Sequence, residues 1–156
     1  MKFTFAVLAL MLTASADELA KTQVDALDLM APAAWKRTLT EGTTRFSAPS
    51  GEAYFELDVG TVQREGGMPA EECLGKILGG LGSEGFEKLT VGGKPAARRV
   101  LVDTDEAGKS YTTYSYVGCS GRTTWSLQFH MLDAKKDRYA KVAEQVARSI
   151  HYAKGK

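Results

Sequence analysis

Histidine occurs twice in this 156-residue chain, cysteine twice and proline four times, and the charges nearly cancel at 20 basic against 19 acidic residues. Each scarcity excludes something. His130 and His151 stand without the His-x-x-x-His or Cys-x-x-Cys spacing that collects a metal ion. A serine or cysteine nucleophile would need one of these two histidines as its base, and no Gly-x-Ser-x-Gly elbow is present. Charge neutrality removes the basic footprint that nucleic acid or anionic lipid requires. Gly92-Gly93-Lys94 lacks the rest of a phosphate loop and reads as a turn. No internal repeat or low-complexity tract is present. The sequence therefore names no reaction, no cofactor and no metal.

What is present begins with the N-terminus. Met1-Lys2 leads into Phe3 to Leu12, apolar except for Thr4, and then into Ala14-Ser15-Ala16. A positive start, a short apolar core and an A-x-A ending describe a secretory signal peptide over residues 1–16. The apolar run is about half of what a bilayer span needs. The mature chain, residues 17–156, is then expected to be a single domain exported to the periplasm or beyond, with no membrane span. Removing residues 1–16 takes away Lys2 alone and leaves 19 basic against 19 acidic residues.

Residues 17–25 are polar and read as a lead-in or short helix. Leu27-Asp28-Leu29-Met30 reads as a first strand closed by Pro32, followed by short strands over 36–40 and 43–48 around Glu41-Gly42. From Glu52 to Val62 the chain alternates, with Ala53, Phe55, Leu57 and Val59 on one face and Tyr54, Glu56 and Asp58 on the other. Pro69 and two acids open a middle helix, whose stripe is Cys73, Leu74, Ile77, Leu78 and Leu81. Gly75, Gly79 and Gly80 weaken that helix, so packing must hold it. Strands follow over 86–91 and 95–103. Tyr139, Val142, Ala143, Val146, Ala147 and Ile150 recur at helical spacing, predicting a last helix that Asp133 or Asp137 can cap.

The most informative stretch is 109–132, two aromatic and β-branched runs around Gly118-Cys119-Ser120-Gly121. A two-residue loop at Ser120-Gly121 sets Tyr116 opposite Trp125 and Tyr114 opposite Leu127. One face then carries Tyr114, Tyr116, Trp125, Leu127 and Phe129, and the other carries Thr113, Ser115, Thr124, Ser126, Gln128 and His130. The aromatic face reads as core under the last helix rather than as a ligand platform.

The order of these features resembles a known family. Pro32-Ala33-Ala34-Trp35 ends a first strand, and Ser47-Ala48-Pro49 follows short strands. Val91-Gly92-Gly93-Lys94-Pro95-Ala96 enters a long strand, and Ser149-Ile150-His151-Tyr152 closes the last helix. This is similar to the PsbP-like α/β/α sandwich shared by the photosystem extrinsic subunit P, the Ran-binding import factor Mog and bacterial envelope proteins of the DcrB type. The resemblance implies an α+β fold, an antiparallel sheet flanked by helices. It implies binding or assembly rather than catalysis, and carries over no metal or Ran-contacting residue.

Cys73 and Cys119 have two possible fates, a disulfide or two free thiols. An oxidising compartment and a count of two favour the bond. Cys73 points from the helical stripe towards the sheet, and Cys119 continues the face opposite Trp125. The bond therefore requires the middle helix to cover that second face while the last helix covers the first. Asp103, Asp105 and Glu106 share a turn that could attract Ca²⁺ or simply be solvated. Lys94, Arg98 and Arg99 could form a small basic patch. The functional expectation is a non-enzymatic envelope protein acting through an unknown protein partner, with a small-molecule or metal-ion carrier using a cleft between sheet and helix as the alternative.

Overall fold

The computed structural model describes residues 16–154. The expected signal peptide lies, apart from Ala16, outside the described residues. Among these, β3 (Lys36–Thr40), β4 (Thr43–Ser47), β5 (Ala53–Thr61), β6 (Glu87–Val91), β7 (Lys94–Thr104), β8 (Ser110–Cys119) and β9 (Thr123–Leu132) form an antiparallel sheet ordered β3-β4-β5-β9-β8-β7-β6. A smaller sheet pairs β1 (Leu19–Val24), β2 (Leu27–Pro32) and β10 (His151–Tyr152) in the order β1-β2-β10. The helices are α1 (Ala70–Leu81) and α2 (Lys136–Arg148). The polar lead-in is thus a strand, β1, held by its full register with β2 from Leu19↔Pro32 to Val24↔Leu27. Its alternation is too polar to show in the sequence.

The aromatic face of the large sheet is the main core. Phe46, Phe55, Leu57, Trp125, Leu127 and Phe129 are buried there, below Val142, Ala143, Val146 and Ala147 of α2 and Leu27 and Leu29 of β2. Each large apolar side chain taken out of water contributes about 1.5–3 kcal/mol. The small sheet and α2 thus share one covering layer. Trp35, delivered by the turn after Pro32, is its hinge pin. Its ring lies 6.1 Å from Phe55, 5.6 Å from Phe129 and 6.0 Å from Tyr139, joining both layers.

On the second face α1 lies over β7 and β8, where Leu74 and Leu78 meet Ala97 and Val117. Three glycines in α1 cost roughly 0.5–1 kcal/mol each relative to alanine. The Cys73–Cys119 disulfide, with Cα atoms 6.1 Å apart, fastens the helix to β8 and offsets that cost. The expected stripe is shorter than it looked. Leu81 is 49% exposed because the helix ends there at Gly82, beyond the edge of the strands it covers.

Two local expectations change. The hairpin pairs Gly118 with Trp125, Tyr116 with Leu127 and Tyr114 with Phe129, two residues away from the register that a loop at Ser120-Gly121 sets. The chain turns over Ser120 to Thr123 instead, where Ser120 N–H donates to the Thr123 carbonyl at 2.9 Å and Ser120 Oγ accepts from Arg122 and Thr123. A slip of two preserves the faces, so the aromatic side stays the core side. No side chain caps α2. Asp133 instead accepts from Thr112 Oγ1 at 2.7 Å, and a single 3₁₀ turn over Asp133–Lys135 leads into the helix.

Candidate functional site

Because α1 covers the β7 and β8 side of the second face, the side built from β3, β4, β5 and β9 presents its outward residues to solvent. Strand alternation alone places them there: the odd positions of β5 and β9 are spent on the core, so Tyr54, Glu56, Gln128 and His130 must point away from it. The register brings these residues together. Arg45 pairs with Glu56, Tyr54 with His130, Glu56 with Gln128, and Thr113 with His130.

Five of these side chains form one connected run, Glu56–Arg45–Tyr54–His130–Thr113, with two separate hydrogen-bonded pairs beside it. The Arg45 guanidinium donates to Glu56 Oε1 through Nε at 3.0 Å and Nη2 at 2.6 Å, and it lies 4.2 Å from the Tyr54 ring centroid. Tyr54 lies against the His130 ring at 4.7 Å. His130 Nδ1 is 2.8 Å from Thr113 Oγ1, and Gln128 donates to Ser115 Oγ at 2.8 Å. Thr43 donates to Asp58 at the far margin. Burial pushes His130 below its ordinary pKa of 6.5; Glu56 opposes the shift and Arg45 adds to it. The ring is therefore neutral near pH 7. Burial also raises Tyr54, against the pull of Arg45.

Beside this face, where α1 overhangs the sheet, a groove of about 460 Å³ runs between Ile77, Gly80 and Leu81 on the helix and Gly60, Val117 and Ser126 on the strands. A wider hollow of about 720 Å³ lies on the small sheet, flanked by Lys21, Asp28 and Met30. There His151 Nδ1 is 2.6 Å from the Ser149 carbonyl oxygen.

The other residues singled out in the sequence are dispersed. Asp105 Oδ1 accepts from Ala107 and Lys109 backbone N–H groups, and Asp103 Oδ1 accepts from Thr104, so two of the three acids in that turn close it. Among the described residues no group of three His, Cys, Asp or Glu side chains is arranged to hold a metal ion. The basic trio also separates: Arg98 pairs with Glu87 on the α2 side, whereas Arg99 lies over Phe86 on the α1 side. His130 lies within the open lattice, and His151 is far from it on β10. Arg45 carries no sequence signal of its own, since only the β4–β5 register shows that it meets Glu56 and Tyr54.

No protein-family model matches the chain, and no curated protein matches its sequence. Solved structures do match its shape. A protein from Bacteroides thetaiotaomicron VPI-5482 superposes with a TM-score of 0.69 at 16% identity, over 89% of this chain and 49% of that one, so this chain spans about half its length. LpqN, involved in cell envelope biogenesis of Mycobacterium tuberculosis, gives 0.59 at 15% identity over 90% of this chain and 88% of that one. Mog1 gives 0.53 at 8% identity over 88% and 96%. At such identities the likeness concerns architecture alone: the chain shares the α+β sandwich of LpqN and Mog1, an antiparallel sheet flanked by helices as its motifs imply.

Proposed function

We propose that the chain is exported by cleavage after Ala16 and works in the periplasm or beyond as a non-enzymatic protein, docking a protein partner on the open face of its large sheet. The observation that carries this reading is the Thr113–His130–Tyr54–Arg45–Glu56 lattice. It holds aromatic, cationic and hydrogen-bonding groups in fixed positions on rigid strands, half-buried apart from the exposed Arg45, on the part of the face that α1 does not cover. Partly exposed ion pairs of this kind contribute only about 0–1 kcal/mol to folding. Preordered side chains of these types do lower the entropy cost of forming an interface. The cell-envelope role of LpqN, which shares the fold, and the Cys73–Cys119 bond support the location. A non-catalytic reading agrees with the chemistry of the face. His130 bonds to Thr113 and packs against the Tyr54 ring, and Ser115 accepts from Gln128 rather than bonding to that imidazole.

The test is photo-crosslinking in intact envelopes, with a crosslinking amino acid at Thr38 or Gln128 on the open face and, as control, at Lys141 or Gln145 on the outer side of α2. A discrete adduct from the open face that disappears with Arg45→Glu supports the reading. Equal adducts from both surfaces, or an adduct indifferent to Arg45→Glu, overturns it.

The groove beside α1 favours a second reading, a carrier of a small apolar molecule, because Ile77, Leu81 and Val117 line it. A ligand that binds only the folded state raises Tm, so a thermal-shift series with fatty acids and other apolar small molecules tests it.

A further inference from the structure

The free edge of the large sheet beyond β6 is the most distinctive surface that the partner-docking face does not use. β6 pairs with β7 only from Lys94 to Arg98, whereas β7 continues to Thr104. Over the remaining stretch β7 is bonded on one side to β8, from Arg99↔Ser115 to Thr104↔Ser110. Its other edge offers backbone donors and acceptors to solvent. That stretch also exposes three successive apolar residues: Val100 at 41%, Leu101 at 44% and Val102 at 64%. An open edge with apolar residues on both faces is a template for adding a strand.

We propose that this edge pairs with the same edge of a second copy, antiparallel and centred on Leu101. The segment Arg99-Val100-Leu101-Val102-Asp103 is complementary to itself read backwards. In this register Leu101 meets its own copy, Val100 meets Val102 of the other chain, and Arg99 meets Asp103 at each end. Arg99 and Asp103 make no ion pair among the described residues; the Arg99 guanidinium rests on the Phe86 ring, 4.5 Å from its centroid. A two-fold axis normal to the sheet keeps each side chain on its own face, which allows only registers shifted by two residues of pairing. One such shift sets Arg99 against Leu101 and Val102 against Arg98, which Glu87 already holds. The other sets Leu101 against Asp103. The Leu101-centred register alone matches charge to charge and apolar to apolar, its matched pairs lying within the length that β6 leaves open; Thr104, at the end of β7, then turns aside where it reaches Arg98.

The opposite edge of the sheet shows the contrast. β3 is exposed throughout and carries Lys36 and Arg37 with no acid on the strand to face them in a second copy, the usual guard against pairing. The β7 pairing would join two seven-stranded sheets into one and carry both α1 helices on one side. Both open polar faces then point the same way, giving a partner two sites rather than one. Self-pairing does not depend on that docking, so either can fail alone.

Sedimentation velocity of the purified oxidised protein, over a concentration series from about 10 μM to 1 mM, tests the proposal, since an interface this small associates weakly. The wild type is expected to move from one mass to twice that mass. Leu101→Lys places two ammonium groups opposite each other and should leave a monomer. Arg99→Asp and Asp103→Arg alone should each weaken association roughly tenfold by turning two attractive cross-strand pairs repulsive. The double exchange Arg99→Asp/Asp103→Arg should restore it. Unchanged Tm in the singles confirms that folding is intact. A wild type that stays monomeric throughout overturns the proposal, even if the edge binds a peptide from another protein. A dimer that survives Leu101→Lys, or a double exchange no tighter than the singles, overturns it as well.

Discussion

Gly118→Ala is a one-methyl substitution that should be among the most damaging in the chain. Gly118 is opposite Trp125 across the hairpin, and a Cβ built on it would lie 2.5 Å from Cε2, 2.5 Å from Cζ2 and 2.6 Å from Nε1 of that indole. Ordinary carbon contacts need about 3.5–4 Å, so the ring must retreat by roughly 1 Å. Trp125 is 2% exposed, and its Nε1 donates to Tyr152 Oη at 2.8 Å, so retreat disturbs both the core and that hydrogen bond. Overpacking costs about 1–3 kcal/mol, and the strained hydrogen bond adds about 1 kcal/mol. Relief from glycine's backbone entropy returns roughly 0.5–1 kcal/mol. The net is a loss of about 1–3.5 kcal/mol. Trp125→Ala should cost about 3–5 kcal/mol. Once the ring is gone, Gly118→Ala should become neutral or mildly stabilising. Urea unfolding of the four proteins in this cycle should give a coupling of about 1–3.5 kcal/mol. A single-mutant loss under about 0.5 kcal/mol, or the same loss with and without the indole, would refute the close approach on which this part of the core is built.

Other outcomes follow from the same geometry. Replacing Cys73 and Cys119 with alanine releases a loop with a sequence separation of 46 residues and should cost about 4 kcal/mol by the chain-entropy model; a melting temperature unaffected by reductant would contradict it. His130 has its folded pKa below 6.5, so the unfolded chain binds more protons as pH falls through that region, and stability, full above about 6.5, declines towards the folded pKa. His130→Gln should flatten that slope in pH-dependent thermal melts, and an unchanged slope would assign the protons elsewhere. Protein recovered from the envelope should begin at Asp17, whose carboxylate accepts from Arg138 at 2.7 Å; mass spectrometry showing Met1 on mature folded material would reject the processing.

The sequence by itself determined the elements whose physics is local. The period-2 run of β5 and the helical stripe of α2 each declare one buried face, because burial of alternate or every third-to-fourth residue leaves a repeating record in the chain. The faces of the hairpin were equally legible, since an aromatic side and a hydroxyl side cannot be exchanged without exposing the core. Its register was not. A shift of two leaves every face intact and is decided by the hydrogen bonds of Ser120 and Thr123 in the turn. Tertiary structure also decided β1, whose polar residues are a strand only because β2 lies beside them, and Asp133, drawn from a helix cap to Thr112. The candidate site was half visible. The outward positions Tyr54, Glu56, Gln128 and His130 follow from alternation, but that Arg45 joins them and that α1 leaves them open does not. Those facts depend on which strands become neighbours and on a helix covering two strands of seven. Neighbours distant in the chain leave no periodicity in it, so only the folded sheet brings them together.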